Sequence, residues 1–436
     1  MITFFIANRI YPPLIWTLRQ KHLMDEPDHR STHGEITPTM GGVGIYISFS
    51  FTLIILASIV GLENKDLTAI LTLMGAAMIL LFLGVKDDLI AVTPKKKIMG
   101  QVVAAAIVVL LADIRVFSFE GLLGIGTLPY SVSVLFSVFV FVAMINAFNL
   151  IDGVDGLAGA IALVVSATFG VFFLLNGNIL FVMVSFVLIG AIIGFLRYNL
   201  SDRNKIFMGD TGSMVVGFLL SFQALAFLEL NALETAQFSV SNGPIMVLAV
   251  LSYPILDTVR VFALRIRDGR SPFSADRNHI HHRLLRLGMK HKQVTLLLVF
   301  VNVFIIEFAF ITNNLFIDVQ FMMVLGAVPF VFTLPFIKIR EFLPKVFGVK
   351  NEAKPTKISD HSKVVNLRDV RKIPNTYLGA TPDAASEYTF QHPKNKVTNA
   401  AASEETDLTE AQNISAKRAS TFQKAKEQNQ PKKIAK

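Results

Sequence analysis

Residues 132–175 read VSVLFSVFVFVAMINAFNLIDGVDGLAGAIALVVSATFGVFFLL. Two apolar blocks, 132–148 and 158–175, flank the short polar loop 149–157. Each block is long enough to cross the hydrocarbon core of a bilayer as an α-helix. Lipid offers backbone groups no partners, and a helix satisfies them within itself. The apolarity is continuous rather than alternating, which speaks against a β-barrel.

The same pattern extends outward in both directions. Candidate spans run 2–18, 42–61, 68–85, 99–112, 132–148, 158–175, 179–196, 212–228, 244–264, 294–312 and 318–337. The expected fold is therefore all-α, a polytopic membrane bundle of about eleven transmembrane helices. Charged residues make up 17% of the chain, well under the roughly 25% of a soluble domain. The first apolar run carries Arg9 and lacks a basic leader and a small-residue cleavage site, so it reads as a retained span, not a signal peptide. The absence of cysteine excludes disulfides, thiolate metal sites and thiol catalysis.

Residues 1–337 carry 22 Lys/Arg against 21 Asp/Glu, whereas 338–436 carry 19 against 11. The net charge of +9 thus reports a basic tail beside a membrane and gives no reason to propose nucleic-acid binding. We divide the chain into an integral membrane catalytic domain, 1–337, and a basic polar tail, 338–436. The tail begins with a candidate interfacial turn at 337–347 and is otherwise expected to be largely disordered. Loops 19–41, 86–98, 149–157, 197–211 and 265–293 hold 18 Lys/Arg, and the opposite set holds Lys65 and Arg115. Basic loops stay on the cytoplasmic side, which places the tail inside and the N-terminus outside.

The unusual polar clusters all fall in that basic set, so a single cytoplasmic site is the economical reading. Asp87 and Asp88 close the third span; the repulsion between them is relieved by a cation or by a substrate with a proton to give, or they form a hydrated helix end. Lys95, Lys96 and Lys97 follow, as an orientation signal or a phosphate contact. Asn146-Ala-Phe-Asn-Leu-Ile-Asp-Gly-Val-Asp-Gly-Leu157 is the most specific segment. Asn146 and Asn149 share a helix face, Asp152 and Asp155 each precede a turn-forming glycine, and such oxygen ligands suit Mg²⁺. Phe207-Met-Gly-Asp-Thr-Gly-Ser213 opens the eighth span, where Asp210 reads as an N-cap and as a metal ligand, two compatible roles. His279, His281, His282 and Arg283 lie in the most basic loop. They suit a phosphate-sized anion. Their spacing does not match common zinc sites, and contact with anionic lipid is the plainer reading. Asp257 and Arg260, inside the ninth span, read as an intrahelical pair or as functional intramembrane charges.

Taken together these residues resemble the polyprenyl-phosphate N-acetylhexosamine-1-phosphate transferase family. The likeness runs in order from Asp25 to Gly288, through Pro38-Thr-Met-Gly-Gly42, Asp87-Asp88, Asn146–Leu157, Phe207–Ser213 and Asp276–Gly288. It implies a helical bundle with a cytoplasmic catalytic cleft in a bacterial plasma membrane. By similarity, Asn149 and Asp210 would hold Mg²⁺, with Mn²⁺ a substitute. Asp87 and Asp88 would flank the acceptor phosphate, and Lys97 would touch the donor diphosphate. Phe207 and Asn199 would bracket the uracil, with Asp152 and Asp155 lining the nucleotide pocket. His279 and His281 match positions at the diphosphate or sugar, and His282 and Arg283 extend that contact. The His-Ile-His-His-Arg pattern, with Ala-Asp-Arg-Asn before it, looks like the branch that uses UDP-N-acetylglucosamine, and undecaprenyl phosphate is the acceptor that the resemblance implies. Pro-Thr-Met-Gly-Gly looks instead like the branch that uses the muramoyl-pentapeptide donor. Membrane lipids are further partners, and a homodimer is compatible with the resemblance. The chain departs from many relatives at Ala91, which removes a third carboxylate after the Asp pair. A transporter is the rival class; it predicts polar residues at mid-membrane rather than at one interface.

Overall fold

The computed structural model describes residues 1–25, 37–233, 235–271 and 278–337. The tail expected from 338 onward, and Asp276 and Arg277 of the histidine loop, lie outside the described residues. Thirteen helices are named here: α1 (Ile2–Gln20), α2 (Gly41–Val60), α3 (Asn64–Leu89), α4 (Pro94–Leu111), α5 (Tyr130–Ile151), α6 (Leu157–Leu175), α7 (Ile179–Asn199), α8 (Gly209–Asn231), α9 (Gly243–Val250), α10 (Ser252–Arg267), α11 (Ile280–Arg286), α12 (His291–Ile311) and α13 (Ile317–Ile337). One short antiparallel pair, Met24–Asp25 with Thr37–Pro38, is the only sheet among the described residues.

Each expected span falls on a helix, but the count of eleven membrane crossings is not reached. Eight described helices are long and apolar enough to cross, and nine if the bent pair α9–α10 is one span. α1 and α4 fall short. α1 carries Asn8, Arg9 and two prolines, and α4 opens on Lys95, Lys96 and Lys97.

α8 is the axis. It is apolar on all sides, and such a helix has to be enclosed by others. Its span is 83% buried, against 17% for α13 at the periphery. Close approach at its start requires glycine. A Cβ on Gly42 of α2 would collide with the backbone of Gly212, and one on Gly84 of α3 with that of Thr211. Lipid tails are as apolar as the helices, so no hydrophobic effect drives helices together in a bilayer, and such small-residue contacts are what allow close packing there.

The span expected at 244–264 is broken. α9 and α10 meet at a bend of 75°. Pro254, in the first turn of α10, has no N–H to give the Val250 carbonyl. Asn302 of α12, fully buried, takes its place: its amide nitrogen donates to Val250 O (3.2 Å), and its oxygen accepts from Tyr253 N (3.2 Å) and Ser252 Oγ (3.0 Å). Asn302→Leu would orphan two buried backbone groups at about 1–3 kcal/mol each. The expected result is a clear drop in the thermal unfolding temperature in detergent, which a thermal-shift assay measures; an unchanged midpoint would refute this role for Asn302.

Candidate active site

The C-terminal ends of α3, α5 and α7 and the N-terminal ends of α4, α6, α8, α11 and α12 meet at one end of the bundle, and the polar clusters lie there. Residues 206–208 pair with the segment before α2: Phe207 N donates to Pro38 O (2.9 Å), Gly41 N to Phe207 O (2.8 Å) and Gly42 N to Met208 O (3.0 Å). The Pro38–Gly42 motif is thus a brace for the start of α8.

Helix α8 begins without a side-chain cap of its own; Met208 occupies the capping position, not Asp210. The free N–H groups of its first turn are met from α3. Asp88 Oδ1 accepts from Asp210 N (2.8 Å), and Asp88 Oδ2 accepts from Thr211 N (3.1 Å) and Thr211 Oγ1 (2.6 Å). A carboxylate at a helix N-terminus is favoured by the unpaired donors and the helix dipole. Gly209, at φ +71°, makes the turn that lets Asp88 reach in.

This cap aims the Asp210 side chain at α4 and α5. Lys97 Nζ lies 2.7 Å from Asp87 Oδ2 and 2.9 Å from Asp210 Oδ2. Asn149 of α5 donates to Asp210 Oδ1 and to Ser213 Oγ (2.7 Å for the latter). Asp87 Oδ1 also accepts from Val92 N (2.7 Å), which ties it to the α3–α4 turn. Asn146, one turn deeper, is held by the buried Gln101 (2.7 Å). Asp87, Asp88, Lys97, Asn149 and Asp210 therefore form one hydrogen-bonded group drawn from four helices.

Two observations test whether this group fits a divalent cation. Oxygens of Asp87 and Asp210 already converge on one positive atom, the Lys97 ammonium. Asp152, half-buried just after α5, is pushed up to about 8, first by burial and then by the charges of Asp210, Asp88 and Asp155. The site carries more negative charge than its cations offset. Among the described residues no three Asp, Glu or His side chains are arranged to hold a metal. Mg²⁺ does not need such a cage, being held commonly by one or two carboxylates plus waters and substrate phosphates. The donor set fits Mg²⁺.

A second group surrounds the 149–157 loop. Asp155 holds Lys205 Nζ (2.6 Å) and His291 Nδ1 (3.1 Å), and its carbonyl accepts from Thr295 (3.0 Å). Asn199 uses both ends of its buried amide on backbone, accepting from Gly156 N (2.6 Å) and donating to Ile206 O (2.9 Å). It clamps the loop after α5 to the one before α8. Lys205 Nζ lies 5.3 Å from the centre of the Phe207 ring. Asp155, Asn199, Leu200, Lys205 and residues 290–293 help line a cavity of about 380 Å³.

The histidines form the third group. His279, His281 and His282 lie together, with His281 4.4 Å from His282 between ring centres. Burial pushes the His281 imidazole down to about 3, so it is neutral at physiological pH. A Cβ on Gly153 would sit 2.7 Å from His281 Nε2, so the missing side chain of the Asp152-Gly153 turn leaves space for this ring. Arg283 stacks over the Phe336 ring of α13, 4.4 Å from its centre.

Lys205, Gln101, His291, Tyr253 and Asn302 were not singled out by sequence reasoning. Lys205 had a signal, lying two residues before Phe207; Asn302 had one as a lone amide in an apolar run. His291 and Gln101 had none, because their partners are distant in sequence.

Comparison with known proteins gives a consistent set of matches. Residues 70–228 match the profile described as glycosyl transferase family 4. The chain is 33% identical over 316 residues to the decaprenyl-phosphate N-acetylglucosaminephosphotransferase of Mycolicibacterium smegmatis, covering 69% of this chain and 77% of that protein. It is 31% identical over 285 residues to the undecaprenyl-phosphate alpha-N-acetylglucosaminyl 1-phosphate transferase of Salmonella typhi, covering 63% and 72%. The protein of the same name from Escherichia coli K12 is 30% identical over 285 residues.

Proposed function

The chain belongs to glycosyl transferase family 4, and from that premise we propose that it transfers N-acetylglucosamine 1-phosphate from UDP-N-acetylglucosamine to a polyprenyl phosphate such as undecaprenyl phosphate, releasing UMP. The reaction is Mg²⁺-dependent and takes place at the cytoplasmic face of a bacterial plasma membrane. The observation that carries this reading is the convergence of Asp87, Asp210, Asn149 and Lys97 at the end of the bundle rich in Lys and Arg, the end that also holds the cavity lined by Asp155, Asn199 and Lys205. The names of the relatives favour the N-acetylglucosamine donor over the muramoyl-pentapeptide one.

Asp210, Asp87 and Asn149 would hold the metal, which when bound neutralises the diphosphate and helps UMP leave. Lys97 then turns its charge from the carboxylates to the donor diphosphate. The cavity between Asp155, Asn199 and Lys205 takes the uridine, and Phe207 lies next to Lys205. An acceptor phosphate monoester has a second pKa of about 6 and is largely deprotonated at neutral pH. No strong base is required. Asp88, whose two oxygens are occupied by three donors, serves by fixing where Asp210 points.

Purified protein incubated with undecaprenyl phosphate and Mg²⁺ should release UMP from UDP-N-acetylglucosamine and not from the muramoyl-pentapeptide donor. Release from the second donor alone would overturn the substrate assignment. A pH effect follows from Asp152. With its acidity weakened to about 8 by burial and by the charges of Asp210, Asp88 and Asp155, it holds a proton at pH 7, and a cation held by Asp210, Asp87 and Asn149 would offset those charges and favour loss of that proton. Mg²⁺ affinity should rise between about pH 6 and about pH 9, with proton release near neutrality. Calorimetry in two buffers of different ionisation enthalpy measures this; identical heats at pH 7 would count against a cation beside Asp152.

A further inference from the structure

We propose that Asp257, on the broken span, is a positioning residue for the transfer reaction: it holds His279 by Nδ1, so that Nε2 faces the donor. This rests on the transferase reading above. Asp257 is completely buried within α10. A lone charge there is costly unless it is paired and hydrogen-bonded, and its partners are all elements of the histidine segment or of its own helix. Asp257 Oδ2 lies 3.0 Å from His279 Nδ1, and Asp257 Oδ1 accepts from Ile280 N (2.9 Å) and Arg260 Nη2 (3.2 Å). Arg260 in turn donates to the Asn278 carbonyl. One turn earlier, the Tyr253 hydroxyl lies 3.2 Å from His281 Nδ1. Tyr253, Asp257 and Arg260 recur at i, i+4 and i+7, a single face of α10.

That face docks residues 278–281. Helix α11 has only seven residues and would be marginal by itself. Anchored, it presses His281 Nε2 against the Asp152-Gly153 turn, and His279 lies beside His281, 5.5 Å between ring centres. A carboxylate accepting from Nδ1–H fixes the imidazole tautomer and ring orientation, and leaves Nε2 as the atom available to a ligand. Arg260 offsets the charge of Asp257, so the intrahelical pair and the histidine contact are one device.

The test is a double-mutant cycle in the full-length protein. Asp257→Asn should lower kcat per folded molecule for UMP release about 100-fold, with KM for UDP-N-acetylglucosamine within about threefold, and should lower the thermal midpoint because Arg260 loses its counter-charge. His279→Gln should give a loss of similar size. If Asp257 acts through His279, the double variant should be no worse than His279→Gln by more than about threefold. Losses that multiply, or a kcat per folded molecule that is unchanged in Asp257→Asn, would overturn the proposal. Should Asp257→Asn not accumulate, ring ¹⁵N spectra of histidine-labelled protein decide: the signal missing from His279→Gln should carry its proton on Nδ1. A signal with Nδ1 bare would overturn the proposal. This spectrum needs no turnover, so a chain that releases no UMP at all would sink the transferase reading and leave the Asp257–His279 contact to be judged separately.

Discussion

Asp210→Asn should lower UMP release by about 1000-fold or more while the protein still assembles in membranes. The factor corresponds to about 4 kcal/mol of transition-state stabilisation, within reach of a bound metal ion. The side chain is the meeting point of the cluster, with Lys97 Nζ on one oxygen and Asn149 on the other. Its loss removes a full negative charge where a cation is required. Folding should survive because the cap on α8 uses the backbone N–H of residue 210 and not its carboxylate. Normal amounts of membrane-inserted, thermally stable Asp210→Asn protein with no Mg²⁺-dependent turnover would match this account. Substantial remaining Mg²⁺-dependent activity would remove Asp210 from the metal site.

Gly42→Val should have the opposite signature: little folded protein to assay. The Cβ of any larger residue meets the Gly212 backbone, which cannot rotate aside as a side chain can. Ordinary overpacking costs about 1–3 kcal/mol, and a contact against main chain at the crowded start of the central helix should exceed that. The same displacement would break the pairing of Gly41 and Gly42 with Phe207 and Met208 and pull Asp210 off its partners. Size-exclusion yield and thermal midpoint in detergent measure the loss. A Gly42→Val protein that is stable but inactive would mean that α2 and α8 separate more easily than their packing implies.

Much of the site was legible in the sequence because its residues are out of place there. Aspartates, asparagines and histidines at the ends of apolar runs stand out against a lipid-facing background, and each expected cluster lies at the same end of the bundle. The sequence could not divide labour within a cluster. Asp87 and Asp88 are adjacent and chemically identical, yet one faces Lys97 and the other caps α8. Helical geometry points neighbouring side chains about 100° apart, and what each then meets depends on which helices pack alongside. The reading of Asp210 as its own helix cap failed for the same reason. The capping oxygens come from a residue 122 positions earlier.

The break at Leu251 is absent from the sequence reading, which takes 244–264 as one span. Pro254 removes a donor, and Asn302, 48 residues later, is what makes the break tolerable inside a membrane. Local chemistry is written in the chain: apolar length set the helices, Lys/Arg asymmetry gave the orientation we infer, and residue type marked the chemistry. Partnership is not written in residue spacing. Asp257 with His279, Asp88 with Thr211 and Gly42 with Gly212 are pairs made by helix packing, where shape and the need to satisfy every buried polar group select one arrangement among many that sequence spacing allows.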